Sequence, residues 1–159
     1  KLYPWEWIMD EEFGRHVPSS GVQFIEPPWK AILSNKGLLP LLWEMFEGHP
    51  NLLPAFFEDD PAAAALTDSG SYVRKPMLSR QGANIEIVDE GKTIFQSDGP
   101  YGEDAHIVQG FQPLPEFRGK YPLVGCWLVA SKSVGLCIRE DSTLVTGKDA
   151  RIIPHVIKD

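Results

Sequence analysis

Residues 71–140 contain a succession of short segments in which apolar and polar side chains alternate, separated by turn-forming residues. Alternation with a period of two is typical of β-strands, because successive side chains of a strand point to opposite faces of the sheet. Short turns between such segments favour antiparallel neighbours. The predicted strands are 71–75, 83–88, 93–96, 106–111, 121–130 and 134–139.

The first 50 residues follow a helical pattern instead. The apolar residues that recur every three or four positions at the start are Trp5, Ile8, Met9 and Phe13. Asn35 is a candidate N-cap for a helix that reaches Phe46. Because Pro40 is hard to place inside a helix, this helix begins either at residue 36 or near residue 39. Residues 22–25 and 52–57 are predicted to be extended.

Helices followed by antiparallel strands predict an α+β fold. We divide the chain at residue 70, into a helical region at 1–70 and an antiparallel-sheet region at 71–159. The 159 residues are enough for one compact domain with a sizeable core.

The net charge of −7 argues against a nucleic-acid-binding protein, because such proteins neutralise many phosphates with Lys and Arg. A negative surface field suits a cationic partner better. The apolar stretches are too short to span a bilayer, so no membrane association is expected. Since no export signal is visible, we expect a cytoplasmic protein. The chain lacks an initiator Met, which is consistent with a fragment of a longer polypeptide.

Cys126 and Cys137 are the two cysteines of the chain. If Ser131 and Lys132 form a two-residue hairpin turn, the two cysteines face each other across the ladder. Without an export signal we expect both to be reduced, buried and small apolar core residues.

Three cationic residues could carry chemistry, and each has a simpler alternative. Lys75 ends a predicted strand and precedes a loop with Ser, Arg and Gly, which could close over phosphates; the alternative is an exposed strand lysine before an ordinary turn. Lys36 at a helix start could likewise meet a phosphate, or could be a surface lysine. Arg139 could stabilise a transferring phosphoryl group, or could pair with its acidic neighbours at the surface.

The sequence predicts no metal site in this chain. The four His residues are scattered without the spacing of paired ligands. The acidic run at 58–60 is more simply explained as a solvated loop.

Several segments, taken in order, resemble the C-terminal portion of the glutathionylspermidine synthase family and its bacterial relatives. The resemblance covers nearly the whole chain, and the order of the segments makes it specific. The segments are 33–46, 49–55, 72–76, 79–84, 107–109, 113–115, 125–129 and 138–141.

This resemblance implies an ATP-grasp fold, in which two α+β lobes hold ATP between them. It makes residues 1–70 the helical region of the first lobe with a linker, and residues 71–159 the ATP-binding sheet region. It also implies an ATP-dependent acid–amine ligase, in which ATP phosphorylates a carboxylate and an amine attacks the acyl phosphate. The implied acid is glutathione-like and the implied amine is polyamine-like.

On matching positions, the resemblance places Lys36 and Lys75 on the ATP phosphates, which favours the functional alternative for both. The loop at Gln81 and Gly82 would fold over the phosphates, and Arg139 would stabilise charge near the reacting centre. The residues implied around the adenine and the rest of the nucleotide are Gln109, Gly110, Phe111, Gln112, Leu123, Leu144, Val145 and Thr146.

Two departures from the family pattern qualify this expectation. The loop reads Ser-Arg-Gln-Gly at 79–82, where the synthase has Ser-Arg-Glu-Gly, so one negative charge is missing and the substrates can differ. The family's Mg²⁺ ligands and glutathione-binding residues lie upstream, so the upstream part of the same polypeptide is an implied partner. We therefore expect this fragment to be inactive alone, and the alternative function is a noncatalytic nucleotide-binding domain derived from such a ligase.

Overall fold

The computed structural model describes residues 3–158 as an α+β fold with two antiparallel sheets. The α-helices are α1 (Trp5–Asp10), α2 (Ala31–Ser34), α3 (Leu38–Met45) and α4 (Ala63–Asp68), with 3₁₀ turns at Glu12–Ser19 and Pro28–Lys30. The predicted fold class is confirmed.

Five strands form the larger sheet, in the order β1-β5-β2-β3-β4. They are β1 (Ala55–Phe57), β2 (Tyr72–Pro76), β3 (Glu86–Asp89), β4 (Lys92–Gln96) and β5 (His106–Gly110). Every pairing is antiparallel. Because β2 lies in the centre, its side chains are flanked by β5 on one side and β3 on the other.

The core of the larger sheet is built from small and β-branched residues. The buried apolar residues are Ala55, Ala63, Ile87, Val88, Ile107 and Val108 in and around the sheet, with Trp5 and Ile8 on α1. Helix α3 packs against β1, and α4 packs against β1 and β5. These contacts fix the edge of the sheet on which β1 and β5 lie.

The smaller sheet contains β6 (Tyr121–Val129), β7 (Lys132–Asp141) and β8 (Arg151–Ile153) in that order. Its hairpin turn is Ala130-Ser131, with φ of 49° and 64°, rather than Ser131-Lys132. A bulge between Trp127 and Leu128 shifts the register again.

The expected pairing of the two cysteines is therefore wrong. Cys126 pairs with Leu136, and Cys137 pairs with Gly125. Cys126 is also exposed and Cys137 half-buried, so neither is a core residue, although both are free thiols. A one-residue change of register moves a side chain to the other face of the sheet, which explains the error.

Two further expectations about the first half are corrected. Residues 22–25 form no strand. Helix α3 begins at Leu38, between the two predicted starts, and its N-cap is Gly37 rather than Asn35. Asn35 Oδ1 instead accepts a hydrogen bond from the Gly37 N–H at 2.8 Å, within the turn before the helix. The boundary at residue 70 stays a prediction, although β1 from the first region pairs with β5 from the second.

Among the helices within residues 3–158, none combines the length and apolarity needed to cross a membrane.

We predict that Ile107→Ala lowers the free energy of unfolding by about 2–5 kcal/mol, because it leaves a cavity around a side chain with 0% exposure. The matched change Ile94→Ala, on a strand of the same sheet but 46% exposed, should cost much less. Urea unfolding of both variants checks this. Equal losses would show that the β2–β5 region is not the core.

Candidate functional site

Lys75 projects from the central strand β2 towards Gln109 on β5. Lys75 lies opposite Ile107 and Val73 lies opposite Gln109, so all four side chains share one face of the sheet. The Lys75 Nζ donates a hydrogen bond of 2.6 Å to Gln109 Oε1. The pairing register therefore positions a half-buried ammonium group against a neutral acceptor.

Lys36 reaches the same end of β2 from the turn before α3. Its backbone N–H donates to the Met77 carbonyl at 2.8 Å, which fixes the turn against the extension of β2. Its Nζ donates to the Ser79 carbonyl at 2.8 Å and to Ser79 Oγ at 2.9 Å. Ser79 was not among the predicted site residues. Its only sequence signal is its place in the loop after Lys75.

Lys36 is close enough to Lys75 to affect its protonation. Burial, and then the charge of Lys36, lower the pKa of Lys75 from its ordinary value of 10.5 to about 8. The pKa of Lys36 is also lowered, by burial first and then by Arg80, while Glu6 opposes the shift. Within residues 3–158, no carboxylate lies within ion-pair distance of either lysine. The site is therefore a pair of partly buried cations without an acidic partner at ion-pair distance.

The loop after β2 turns at Gln81 and Gly82, whose φ values of 55° and 76° are those of a tight turn. The Ala83 N–H donates to the Arg80 carbonyl at 3.0 Å and closes it. A Cβ added to Gly82 would lie 2.7 Å from Val145 Cγ1 and 3.4 Å from the Thr146 carbonyl. Only glycine lets the loop approach this segment so closely.

Arg139 lies on β7, opposite Leu123 of β6. Its Nη2 donates to the Gly147 carbonyl at 2.9 Å, and Asp141 Oδ2 accepts the Gly147 N–H at 2.9 Å. Hydrogen bonds from backbone N–H groups, that of Gly147 above all, lower the pKa of Asp141. Arg139 thus holds the segment that Gly82 contacts.

A cavity of about 780 Å³ lies beside the contact between the loop and this segment. Its lining includes Arg80, Gln81, Gly82, Val145 and Gly147. Lys36 and Lys75 do not line it, so the lysine pair and the cavity are two neighbouring parts joined by residues 79–82.

A sequence model described as glutathionylspermidine synthase preATP-grasp matches residues 1–158. The chain belongs to this family. The membership confirms the resemblance seen in the sequence, and the α+β fold agrees with it.

Three named relatives are identical to this chain at about a third or more of the aligned positions. A Haemophilus influenzae protein named "Putative acid--amine ligase" is 41% identical over 98% of this chain. Trypanothione synthetase of Crithidia fasciculata is 35% identical over 81%, and the bifunctional glutathionylspermidine synthetase/amidase of Escherichia coli is 34% identical over 86%. The chain spans 40%, 19% and 22% of these proteins respectively.

The other residues implied by the glutathionylspermidine synthase family lie around these two parts. The Gly110 N–H at the end of β5 donates to the Pro54 carbonyl at 2.8 Å. Phe111 is half-buried and Gln112 exposed, both beyond the end of β5. Leu123 is 38% exposed on β6, and Leu144 is half-buried in the segment before Val145. Their roles stay predictions.

Mg²⁺ takes oxygen ligands, commonly one or two carboxylates together with substrate phosphates and water. The lysine pair does not fit such a site, because only neutral oxygens of the described chain hold Lys36 and Lys75. Within residues 3–158, no three His, Cys, Asp or Glu side chains converge.

We predict that Gly82→Ala disturbs the loop far more than Gly119→Ala does. Both glycines have positive φ, 76° and 74°, so both alanines carry a similar backbone strain of about 1–2 kcal/mol. Only at Gly82 would the new methyl also collide with Val145, since nothing lies within 4 Å of the Gly119 position. Thermal unfolding compares the two variants, and an equal change in Tm would show that the loop does not rest on Val145.

Proposed function

We propose that this chain is the phosphate-binding part of an ATP-dependent carboxylate–amine ligase. The observation that supports this most strongly is the Lys36–Lys75 pair. Two partly buried ammonium groups repel each other, and within the described chain only neutral oxygens hold them. A polyanionic ligand would relieve both the repulsion and the desolvation.

In this proposal the two lysines bind phosphate oxygens of ATP. The loop around Gln81 and Gly82 covers these phosphate oxygens. Its contact with the segment at Val145 supports this placement. Gln109 orients Lys75 from the neighbouring strand. Gly110, Phe111 and Gln112 would line the adenine pocket, and Leu123 would pack against the base. The residues proposed near the rest of the nucleotide are Leu144, Val145 and Thr146.

The proposed reaction forms an amide. A carboxylate oxygen of the acid takes the terminal phosphoryl group of ATP and releases ADP, and an amine nitrogen then displaces phosphate from the acyl carbon and loses a proton. Positioning and charge neutralisation contribute most to phosphoryl transfer, and fixed cations supply both. Arg139, now held by the Gly147 carbonyl, would stabilise the charge on the transferring group.

The substrates follow the names of the relatives, which include a glutathionylspermidine synthetase. We propose a glutathione-like acid and a polyamine-like amine, and the net charge of −7 suits a cationic amine. The chain spans 40% of the Haemophilus relative. We therefore propose that Mg²⁺ ligands come from other parts of the polypeptide and that this fragment alone is inactive. We also propose that the protein acts in the cytoplasm.

We predict that Lys75→Ala in the full-length protein raises the KM for ATP by about tenfold or more, because a charge-assisted contact to phosphate is lost. Lys75→Arg should restore little, since a guanidinium has a different shape. Lys92→Ala, an exposed lysine on the same sheet, is the control. ADP release with glutathione and spermidine is the readout.

Unchanged ATP kinetics in Lys75→Ala would remove the proposal. Tight ATP binding without turnover, across a broad panel of acids and amines, would instead identify a noncatalytic nucleotide-binding domain.

We predict that ATP affinity falls as the pH rises above about 8, because the free Lys75 loses its proton there and only its charged form attracts phosphate. The stability of the ligand-free protein should change in the opposite direction. Between the lowered pKa and 10.5 the unfolded chain binds the extra proton, so this contribution to stability increases with pH.

Lys75→Met should flatten both pH profiles. Calorimetric titration and urea unfolding at pH 7, 8 and 9 measure them. An affinity independent of pH in the unsubstituted protein would show that Lys75 does not bind the anion.

A further inference from the structure

Arg80, in the loop that covers the proposed phosphate site, is already held by a carboxylate. Its Nε donates to Glu6 Oε1 at 2.8 Å, and its Nη2 donates to the same oxygen. Glu6 belongs to α1, 74 residues away in the sequence. The contact therefore fastens the first helix to the loop.

This contact differs from an ordinary surface ion pair. The Glu6 side chain is 13% exposed, whereas Arg80 remains 41% exposed and open to solvent. The second oxygen of Glu6 is buried and has no hydrogen-bond partner within the described chain. Arg80 thus uses one oxygen of an imperfectly satisfied carboxylate, although a guanidinium can bind two oxygens in parallel.

The surroundings of Arg80 are cationic. Lys36 binds Ser79, the residue before Arg80, and Lys75 lies beyond it. Within residues 3–158, Glu6 is the carboxylate that forms an ion pair with this group of cations, through its contact with Arg80. In the absence of a ligand, its negative charge offsets part of the repulsion among them.

We propose that Glu6 is an internal competitor for the nucleotide phosphates, which occupies Arg80 until a polyphosphate displaces it. The inference rests on the proposed function of the site. A phosphate accepts two parallel hydrogen bonds from the guanidinium and carries more charge than Glu6, so it is the better partner. Exchange frees α1 from the loop and allows Arg80 to turn towards the phosphates.

Such competition lowers the apparent affinity, because only the fraction of molecules with an available Arg80 is ready to bind. Glu6→Gln should therefore tighten the binding of ATP and of inorganic tripolyphosphate, by about three- to tenfold. Adenosine, which has no phosphate, should bind both proteins equally. Asp10→Asn removes the same charge from an exposed position at the end of α1 and should change nothing.

Arg80→Gln separates this mechanism from a general charge effect. In an Arg80→Gln background, Glu6→Gln should no longer tighten tripolyphosphate binding, since the contested residue is gone. Circular dichroism confirms the fold of each variant, and calorimetric titration gives the Kd.

Hydrogen exchange on the unsubstituted full-length protein tests the same exchange without a variant. Saturating tripolyphosphate should reduce the protection of the amides in α1 while the loop at 79–83 gains protection. Binding with unchanged or weaker affinity in Glu6→Gln, or increased protection of α1, would overturn the inference while leaving the proposed function standing. No binding of ATP or tripolyphosphate by the unsubstituted protein would overturn the proposed function itself.

Discussion

Two lysines held by neutral oxygens, rather than by carboxylates, set the character of this site. The contrast on a single strand is direct, because Arg74 and Lys75 point to opposite faces of β2. Arg74 forms an ion pair with Glu58, so its charge is neutralised within the protein. Lys75 meets the amide oxygen of Gln109, which orients the ammonium group without cancelling its charge. The cation on one face of the strand is neutralised by a carboxylate, whereas the cation on the other face meets only a neutral oxygen.

The register between β2 and β5 determines which face is which. The central position of β2 and the buried Ile107 opposite Lys75 make slippage costly, since a shift of one residue would turn the apolar core outwards. The same register places Gln109 diagonally from Lys75. The packing of the neighbouring residues thus holds the Lys75 ammonium group in place, although burial removes part of its hydration. The stability of the sheet and the chemistry of the site are linked through one set of pairings.

Sequence patterns predicted what depends on local chemistry. Alternation located β2 to within one residue, and an ordered series of segments indicated the family that the comparison confirmed. The predicted register of the β6–β7 hairpin was wrong because the turn lies at Ala130 and Ser131. Both residues adopt positive φ, which neither residue type indicates. The contacts of Lys36 with Ser79 and of Glu6 with Arg80 join residues 43 and 74 positions apart. These contacts form only through tertiary packing, so no local sequence pattern predicts them.

The four residues at 79–82 connect the parts of the site that the chain otherwise keeps separate. Ser79 holds Lys36, Arg80 holds α1 through Glu6, and Gly82 contacts Val145 beside the smaller sheet. A ligand that draws Arg80 away from Glu6 would act in the middle of this turn, and a movement of its backbone would reach the residues on either side. Lys36 on one side and the Val145 segment on the other would then respond together, because both rest on the same short turn. Differential contacts of one loop with one anion are sufficient to couple these elements.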